Sequence, residues 1–309
     1  MIATEPAILS TRTPRLVEAI GNTPLIEIAG LDIPRGVRVL GKAEWWNPGG
    51  SVKDRTAWSM IRAAHSSGQL AGRTVLDATS GNTGIALAWL GSALGFPVEL
   101  CVPANVNHRV RELRETLGAH LVLTDPLEGT DGAQVEARRR VEERPDHFVH
   151  TDQYSNSANW LAHYEGTGPE IWEQTGGRIT HLVCGLGTTG TLVGCSRRLR
   201  EMNPFVEVIG VQPDSPYHAL EGLKHLATSA RPAFYDPAAH QRLIEVRSED
   251  AIDMARRQAR NEVPIGWSAG AALVGAERVA QGLEHGLVVA VLPDGAWRYQ
   301  DDRLWTEEP

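Results

Sequence analysis

Lysine is scarce in this chain: of 30 basic residues among 309, only Lys42, Lys53 and Lys224 are lysines. The lysine amine is the side chain that forms a Schiff base with a carbonyl, so chemistry of that kind has three candidates. Cysteine is thin as well. Cys101, Cys184 and Cys195 lie in apolar surroundings at spacings that match neither a zinc site nor a disulfide framework. They read as small buried hydrophobes in a reducing compartment, and no metal site is expected. Positive charge is not in excess: the formal net charge of -8 argues against a general nucleic-acid binder, which wants a basic face. No apolar run reaches the ~18 residues of a membrane helix, and the N-terminus lacks a basic-then-apolar signal pattern. These absences predict a cytoplasmic protein that binds neither nucleic acid nor membrane.

What is present is an ordinary globular composition, 42% hydrophobic and 22% charged, over about two domains' length. Apolar strand-like runs occur at 37–44, 74–77, 98–102, 120–124, 181–184, 206–211 and 287–292. Most lack sustained polar alternation, as strands covered on both faces do. Helical patterns at 83–94, 107–117, 134–144 and 190–202 alternate with them. This order predicts an α/β protein with parallel sheets. No long linker or repeat interrupts it, so two lobes are expected to pack closely with a cleft between them. The polar stretch Asp146–Asn159 is the expected crossover between lobes.

Four segments carry chemistry. In Asn47-Pro-Gly-Gly-Ser-Val-Lys-Asp-Arg55 a proline and two glycines end a strand, and Ser51 is a fitting N-cap for a following helix. Lys53 then falls in the first helical turn, where the dipole disfavours a positive charge; the plain alternative is a surface lysine. In Asp77-Ala-Thr-Ser-Gly-Asn-Thr-Gly84, Thr79, Ser80, Asn82 and Thr83 crowd around Gly81 at a helix start. Exposed amides and short hydroxyls there make an anion cradle suited to a carboxylate, although simple capping explains one such residue.

In the third segment, His181–Gly194, a strand enters a glycine loop with Thr188, Thr189 and Thr191, a phosphate cup by the same argument. Gly185-x-Gly187-x-x-Gly190 also matches the dinucleotide fingerprint, with Gln212 and Asp214 about where a ribose-binding acid would lie. A nicotinamide-dependent oxidoreductase is therefore a rival reading. The fourth segment, Ile265-Gly-Trp-Ser-Ala-Gly-Ala-Ala-Leu273, places Ser268 at a helix start, as a cap or as a hydroxyl for a ligand nitrogen.

Taken in order, Gly21-Asn-Thr-Pro-Leu25, Ser51-Val-Lys-Asp-Arg55, Thr79-Ser-Gly-Asn-Thr-Gly84 and Gly187-Thr-Thr-Gly-Thr191 resemble the cysteine synthase (O-acetylserine sulfhydrylase) family. Thr167-Gly-Pro-Glu-Ile-Trp172 is similar to the B-type members. The resemblance implies fold type II of the pyridoxal 5'-phosphate enzymes: two lobes, each a mostly parallel sheet flanked by helices, with the active site in the cleft. It implies a smaller, mobile, substrate-carboxylate lobe at 46–150 and a larger phosphate-binding lobe at 1–45 plus 151–309. It implies that Lys53 carries the cofactor and moves the α-proton, and that Asn82 bonds the phenolic oxygen. Gly187, Thr188, Thr189, Gly190 and Thr191 would hold the phosphate, and Ser268 would face the pyridine nitrogen. Thr79, Ser80, Gly81, Thr83 and Gln153 would take the substrate carboxylate.

The implied reaction is β-replacement: an O-activated serine, O-acetylserine in the first place, loses its leaving group to give α-aminoacrylate. A sulfur donor then adds to give cysteine. A homodimer is implied too. The chain departs from the family's pattern at Trp45-Trp46, at Trp267, at Ala269 and at Gln300-Asp-Asp302. The bulky aromatics among these are expected to reshape the entrance. Lys224 and His225 are either a solvated basic pair or an attraction for a phosphate leaving group, which would admit O-phosphoserine.

Overall fold

The computed structural model describes residues 15–261, 263–300 and 305. The N-terminal stretch read for a signal pattern and the Asp301-Asp302 departure lie outside the described residues. In chain order the elements begin with α1 (Arg15–Glu18), β1 (Leu25–Glu27), β2 (Val37–Ala43), α2 (Lys53–Ser66), β3 (Thr74–Ala78) and α3 (Asn82–Leu94). There follow β4 (Val98–Pro103), α4 (His108–Thr116), β5 (His120–Thr124), α5 (Gly129–Glu143), β6 (Phe148–His150), α6 (Ala158–Ala162) and α7 (Gly168–Gln174), with one π turn, His163–Thr167, between the last two. The chain continues through β7 (His181–Gly185), α8 (Gly190–Met202), β8 (Glu207–Pro213), β9 (Arg242–Val246), α9 (Ser248–Arg260), α10 (Trp267–Gln281) and β10 (Gly286–Leu292).

Two compact units result. The first takes Lys53–Asn159 together with the described residues up to Ile20; the second takes Gly21–Val52 and the chain from Trp160 onward. The divisions fall at 52/53 and 159/160, whereas the sequence set them at 45/46 and 150/151. The loop leading to Lys53 stays with the second unit because Val52 N donates to Pro293 O at 2.8 Å and Ser51 pairs with Asp294.

The first unit holds a four-stranded parallel sheet in the order β5-β4-β3-β6. Its central strands are apolar and buried, as the uninterrupted Val-Leu runs predict. Asn107 caps α4 by accepting from Arg109 N at 2.9 Å, and Gly95 ends α3 in the left-handed region that glycine adopts freely. The expected crossover at Asp146–Asn159 proves to contain β6, an edge strand parallel to β3. Three residues are too few to show a period, which hides such a strand in the sequence.

The second unit holds a six-stranded sheet in the order β1-β2-β10-β7-β8-β9, parallel except for the antiparallel β1. α10 is rich in Ala and Gly because it is buried between α9 and the sheet. A side chain at Gly270 would run into the carbonyl of Ala251 on α9, and one at Gly275 into Val211 on β8.

Candidate active site

In the second unit, three adjacent parallel strands deliver two of the marked segments and one further turn from one edge. The Asn47-Pro-Gly-Gly loop follows the carboxyl end of β2, the Pro293-Asp294-Gly295 turn follows β10, and the glycine–threonine loop follows β7. Carboxyl ends of parallel strands are where ligands sit in α/β sheets. Asn47 Nδ2 donates to the carboxylate of buried Glu44 at 2.9 Å, and Thr23 Oγ1 donates to it at 2.7 Å. Asn47 Oδ1 in turn accepts from Gly21 N at 2.9 Å. The Gly21–Leu25 motif is thus the support of the loop that leads to Lys53. Lys53 is the first residue of α2, as expected, but Val52 flanks the helix and Ser51 is engaged in its bridge to Asp294.

The cup after β7 is tightly built. Thr189 takes a left-handed conformation, φ 66°, and turns the chain into α8. Gly187 leaves no room for a side chain, because a Cβ would collide with the carbonyl oxygen of Gly222. Thr189 Oγ1 is buried and finds no hydrogen-bond partner among the described residues. A buried hydroxyl left so at a helix N-terminus is what a phosphate oxygen would satisfy, and the loop fits that group. Thr191 Oγ1 lies 3.3 Å from His163 Nε2, and His163 Nδ1 lies 2.9 Å from Thr167 Oγ1. The sequence reading did not single out His163, which lies four residues before the Thr167–Trp172 run.

Ser268 is the second residue of α10 and is buried. The turn before it is held by Gly266 N donating to Asp294 O at 3.2 Å and by the pairing of Ile265 with Gly295. Tyr299 Oη donates to Asp294 Oδ2 at 2.8 Å. Trp267 corrects an expectation: it is fully buried, with ring centroids 5.6 Å from Tyr299 and 4.3 Å from Trp305, so it is a core side chain and not an entrance residue. Trp46 is exposed, and Trp45 stands edge-on to Trp297.

In the first unit the other marked residues come together. The sheet order reverses between β3 and β6, the switch point at which such sheets bind ligands. Thr79–Thr83 follow β3 and Gln153 follows β6. Thr83 Oγ1 donates to Gln153 Oε1 at 2.7 Å, and Gln153 Nε2 donates to Ala78 O at 3.0 Å. Asn82 opens α3, and Asp54, next to Lys53, accepts from Trp89 Nε1 on α3 at 3.1 Å.

Asp77 sits beneath this loop, accepting from Thr151 Oγ1 and Ala78 N, each at 2.7 Å. Burial pushes its carboxyl up to about 7, opposed by the hydrogen bonds from Thr151 and Ala78 and reinforced by the charge of Asp152. A carboxyl raised in the folded chain binds its proton more tightly there than in the unfolded chain. It therefore withdraws stability as pH rises from ~4 to about 7, and no further above that. Asp77→Asn removes this dependence. The melting temperature of the variant relative to wild type is expected to be higher at pH 8 than at pH 5, by a few degrees; equal differences at both pH values would contradict the assignment.

A glycine–threonine loop opening α8, a hydroxyl-rich loop opening α3 and a lysine leading α2 are features that suit a lysine-linked cofactor enzyme. The chain belongs to the family of pyridoxal-phosphate dependent enzymes, whose pattern matches residues 16–294. It is 48% identical over 302 residues to a cysteine synthase of Aquifex aeolicus, covering 95% of this chain and 92% of that protein. It is 39% identical over 293 residues to cysteine synthase B of Pseudomonas aeruginosa, covering 94% and 97%. Its fold matches the crystal structure of a cysteine synthase from Entamoeba histolytica with a TM-score of 0.90 at 29% identity, covering all of this chain and 94% of that one. The nicotinamide reading falls with these findings. Of the two residues at its expected ribose contact, Gln212 is buried and engaged with Glu245 and the backbone of Leu226, while Asp214 is exposed.

Proposed function

We propose that the chain is a cysteine synthase that replaces the acetate of O-acetyl-L-serine with a sulfur nucleophile, acting as a cytoplasmic homodimer. The observation that carries the reading is the 48% identity to a cysteine synthase over nearly the whole of both chains, with Lys53, Thr79–Gly84 and Gly187–Thr191 all in place. Pyridoxal phosphate, when bound, withdraws electrons from the α-carbon of an amino acid.

The chain's own residues do the rest. Gly187, Thr188, Thr189, Gly190 and Thr191 hold the phosphate with backbone amides and hydroxyls. Ser268 would offer the ring nitrogen a neutral hydroxyl, which would not force that nitrogen to carry a proton and so would favour elimination at the β-carbon. Asn82 bonds the phenolic oxygen. Thr79, Ser80, Gly81, Thr83 and Gln153 fix the substrate carboxylate, and the pairing of Thr83 with Gln153 brings two of these to one place. Lys53 Nζ takes the α-proton and later returns it.

The test is direct: purified protein with pyridoxal phosphate, O-acetyl-L-serine and sulfide should form cysteine and acetate in equal amounts. No cysteine from the loaded protein would overturn the reading. O-phosphoserine is the second arm, because Lys224 lies against the cup: its amide donates to Leu186 O at 2.8 Å. Lys224→Ala is expected to leave O-acetylserine turnover within about twofold, as for a solvated side chain, and to lower any turnover of O-phosphoserine. If phosphoserine is not used, or is used equally by the variant, Lys224 has no part in the leaving group.

A further inference from the structure

Arg114 is among the largest fully buried side chains of the protein, yet it stands on α4, outside every segment the sequence marks for chemistry. A guanidinium is taken out of water only where hydrogen bonds or charge hold it. Its Nη2 donates to the carbonyl oxygens of Ser80, at 2.6 Å, and Gly81, at 2.7 Å. These carbonyls belong to the loop that opens α3. The same guanidinium closes the space beside Gly84, where a Cβ would come within 3.0 Å of Nε.

A trans peptide directs its N–H opposite to its C=O. With the Ser80 and Gly81 carbonyls drawn onto Arg114, the N–H of Asn82 is turned to the other side of the loop. The N–H of Gly81 is taken up by Thr79 Oγ1 at 3.2 Å. The positive charge stays behind the loop, where burial strengthens its field and salt screens it little.

We propose that Arg114 is a positioning residue that sets carboxylate affinity. It clamps the Ser80 and Gly81 carbonyls so that the Asn82 N–H is turned away from it, and it backs the loop with a buried positive charge for the carboxylate of an amino-acid substrate. The proposal rests on the reading of Thr79–Thr83 and Gln153 as the substrate-carboxylate site. Arg114→Met keeps the bulk and removes the charge; Arg114→Lys keeps the charge and loses the fork.

In the holoenzyme the Met variant should raise KM for O-acetyl-L-serine by about 10- to 100-fold, the scale of one or two charge-assisted hydrogen bonds. The Lys variant should fall between it and wild type. The KM for sulfide, which has no carboxylate, and the visible absorption of the bound cofactor should not move. An unchanged KM for O-acetylserine, or a parallel rise for both substrates, overturns the proposal. If the Met variant does not fold, the Lys variant decides by the same split. Gln153→Ala separates the two layers: if it raises KM for O-acetylserine and the Arg114 variants do not, Arg114 alone is misassigned. If none of them does, the reading of the loop as a carboxylate site falls.

Discussion

Lys53→Ala is expected to lower kcat/KM for O-acetylserine by on the order of 10⁴-fold or more, because in the proposed mechanism one residue both holds the cofactor and moves the α-proton. The structure sets Lys42 aside among the three lysines. Lys42 Nζ is fully buried and donates to Thr23 O at 2.6 Å, Glu170 Oε2 at 2.7 Å and Gln174 Oε1 at 2.9 Å. An ammonium so paired is held protonated and has no lone pair to offer a carbonyl. Lys224 belongs to a loop segment pinned to the phosphate cup by its own backbone. Lys53 alone leads a helix, where the dipole favours the neutral amine. Borohydride reduction of the loaded wild-type protein should fix the cofactor on the peptide containing Lys53, and the alanine variant should lose both the label and the visible absorption of the linked cofactor. Label on Lys224, or turnover of the variant above one-hundredth of wild type, would refute the assignment.

Much of this architecture was legible in the chain because its signals are local. The Val-rich runs that became β7, β8 and β10 are buried on both faces, and burial on both faces writes itself as uninterrupted apolar sequence. The loop after β7 was legible for the same reason: strand, glycines, threonines and helix follow one another within a few residues. What stayed hidden depends on pairing over distance. β6 and β9 are short edge strands; the second carries charged residues at Arg242 and Glu245, so neither resembles a covered strand. Arg114 looks like one more surface arginine on a charged helix, and only the fold brings it under Ser80 and Gly81. Trp267 gave the opposite error. A large aromatic beside Ser268 suggested an entrance, but its neighbours Tyr299 and Trp305 come from the chain's far end and enclose it.

Gly187→Ala is the second large effect to expect, and it acts through shape with no loss of a functional group. A Cβ at this position meets the carbonyl oxygen of Gly222, a backbone atom that cannot rotate away. Relief requires movement of the cup or of the segment above it, and both are tied. Leu186 N donates to Val211 O at 2.8 Å, and Leu186 O accepts from Lys224 N at 2.8 Å, so the residue before Gly187 is fixed on both sides. Overpacking of this kind costs about 1–3 kcal/mol. If the strain falls on the cup, the same amount appears as a rise of about 5- to 150-fold in the dissociation constant for pyridoxal phosphate. Equilibrium dialysis of the cofactor, alongside melting of the cofactor-free protein, locates the strain. A cup that opens loses cofactor but keeps its melting temperature; a displaced 220–224 segment lowers the melting temperature as well. Gly282→Ala is the control, since the nearest atom to its Cβ is Val279 O at an ordinary 3.5 Å. If Gly187→Ala keeps the control's melting temperature, so that the strain lies on the cup, and also keeps its cofactor affinity, the loop after β7 does not hold the phosphate. The assignment of Thr188–Thr191 would then fail along with it.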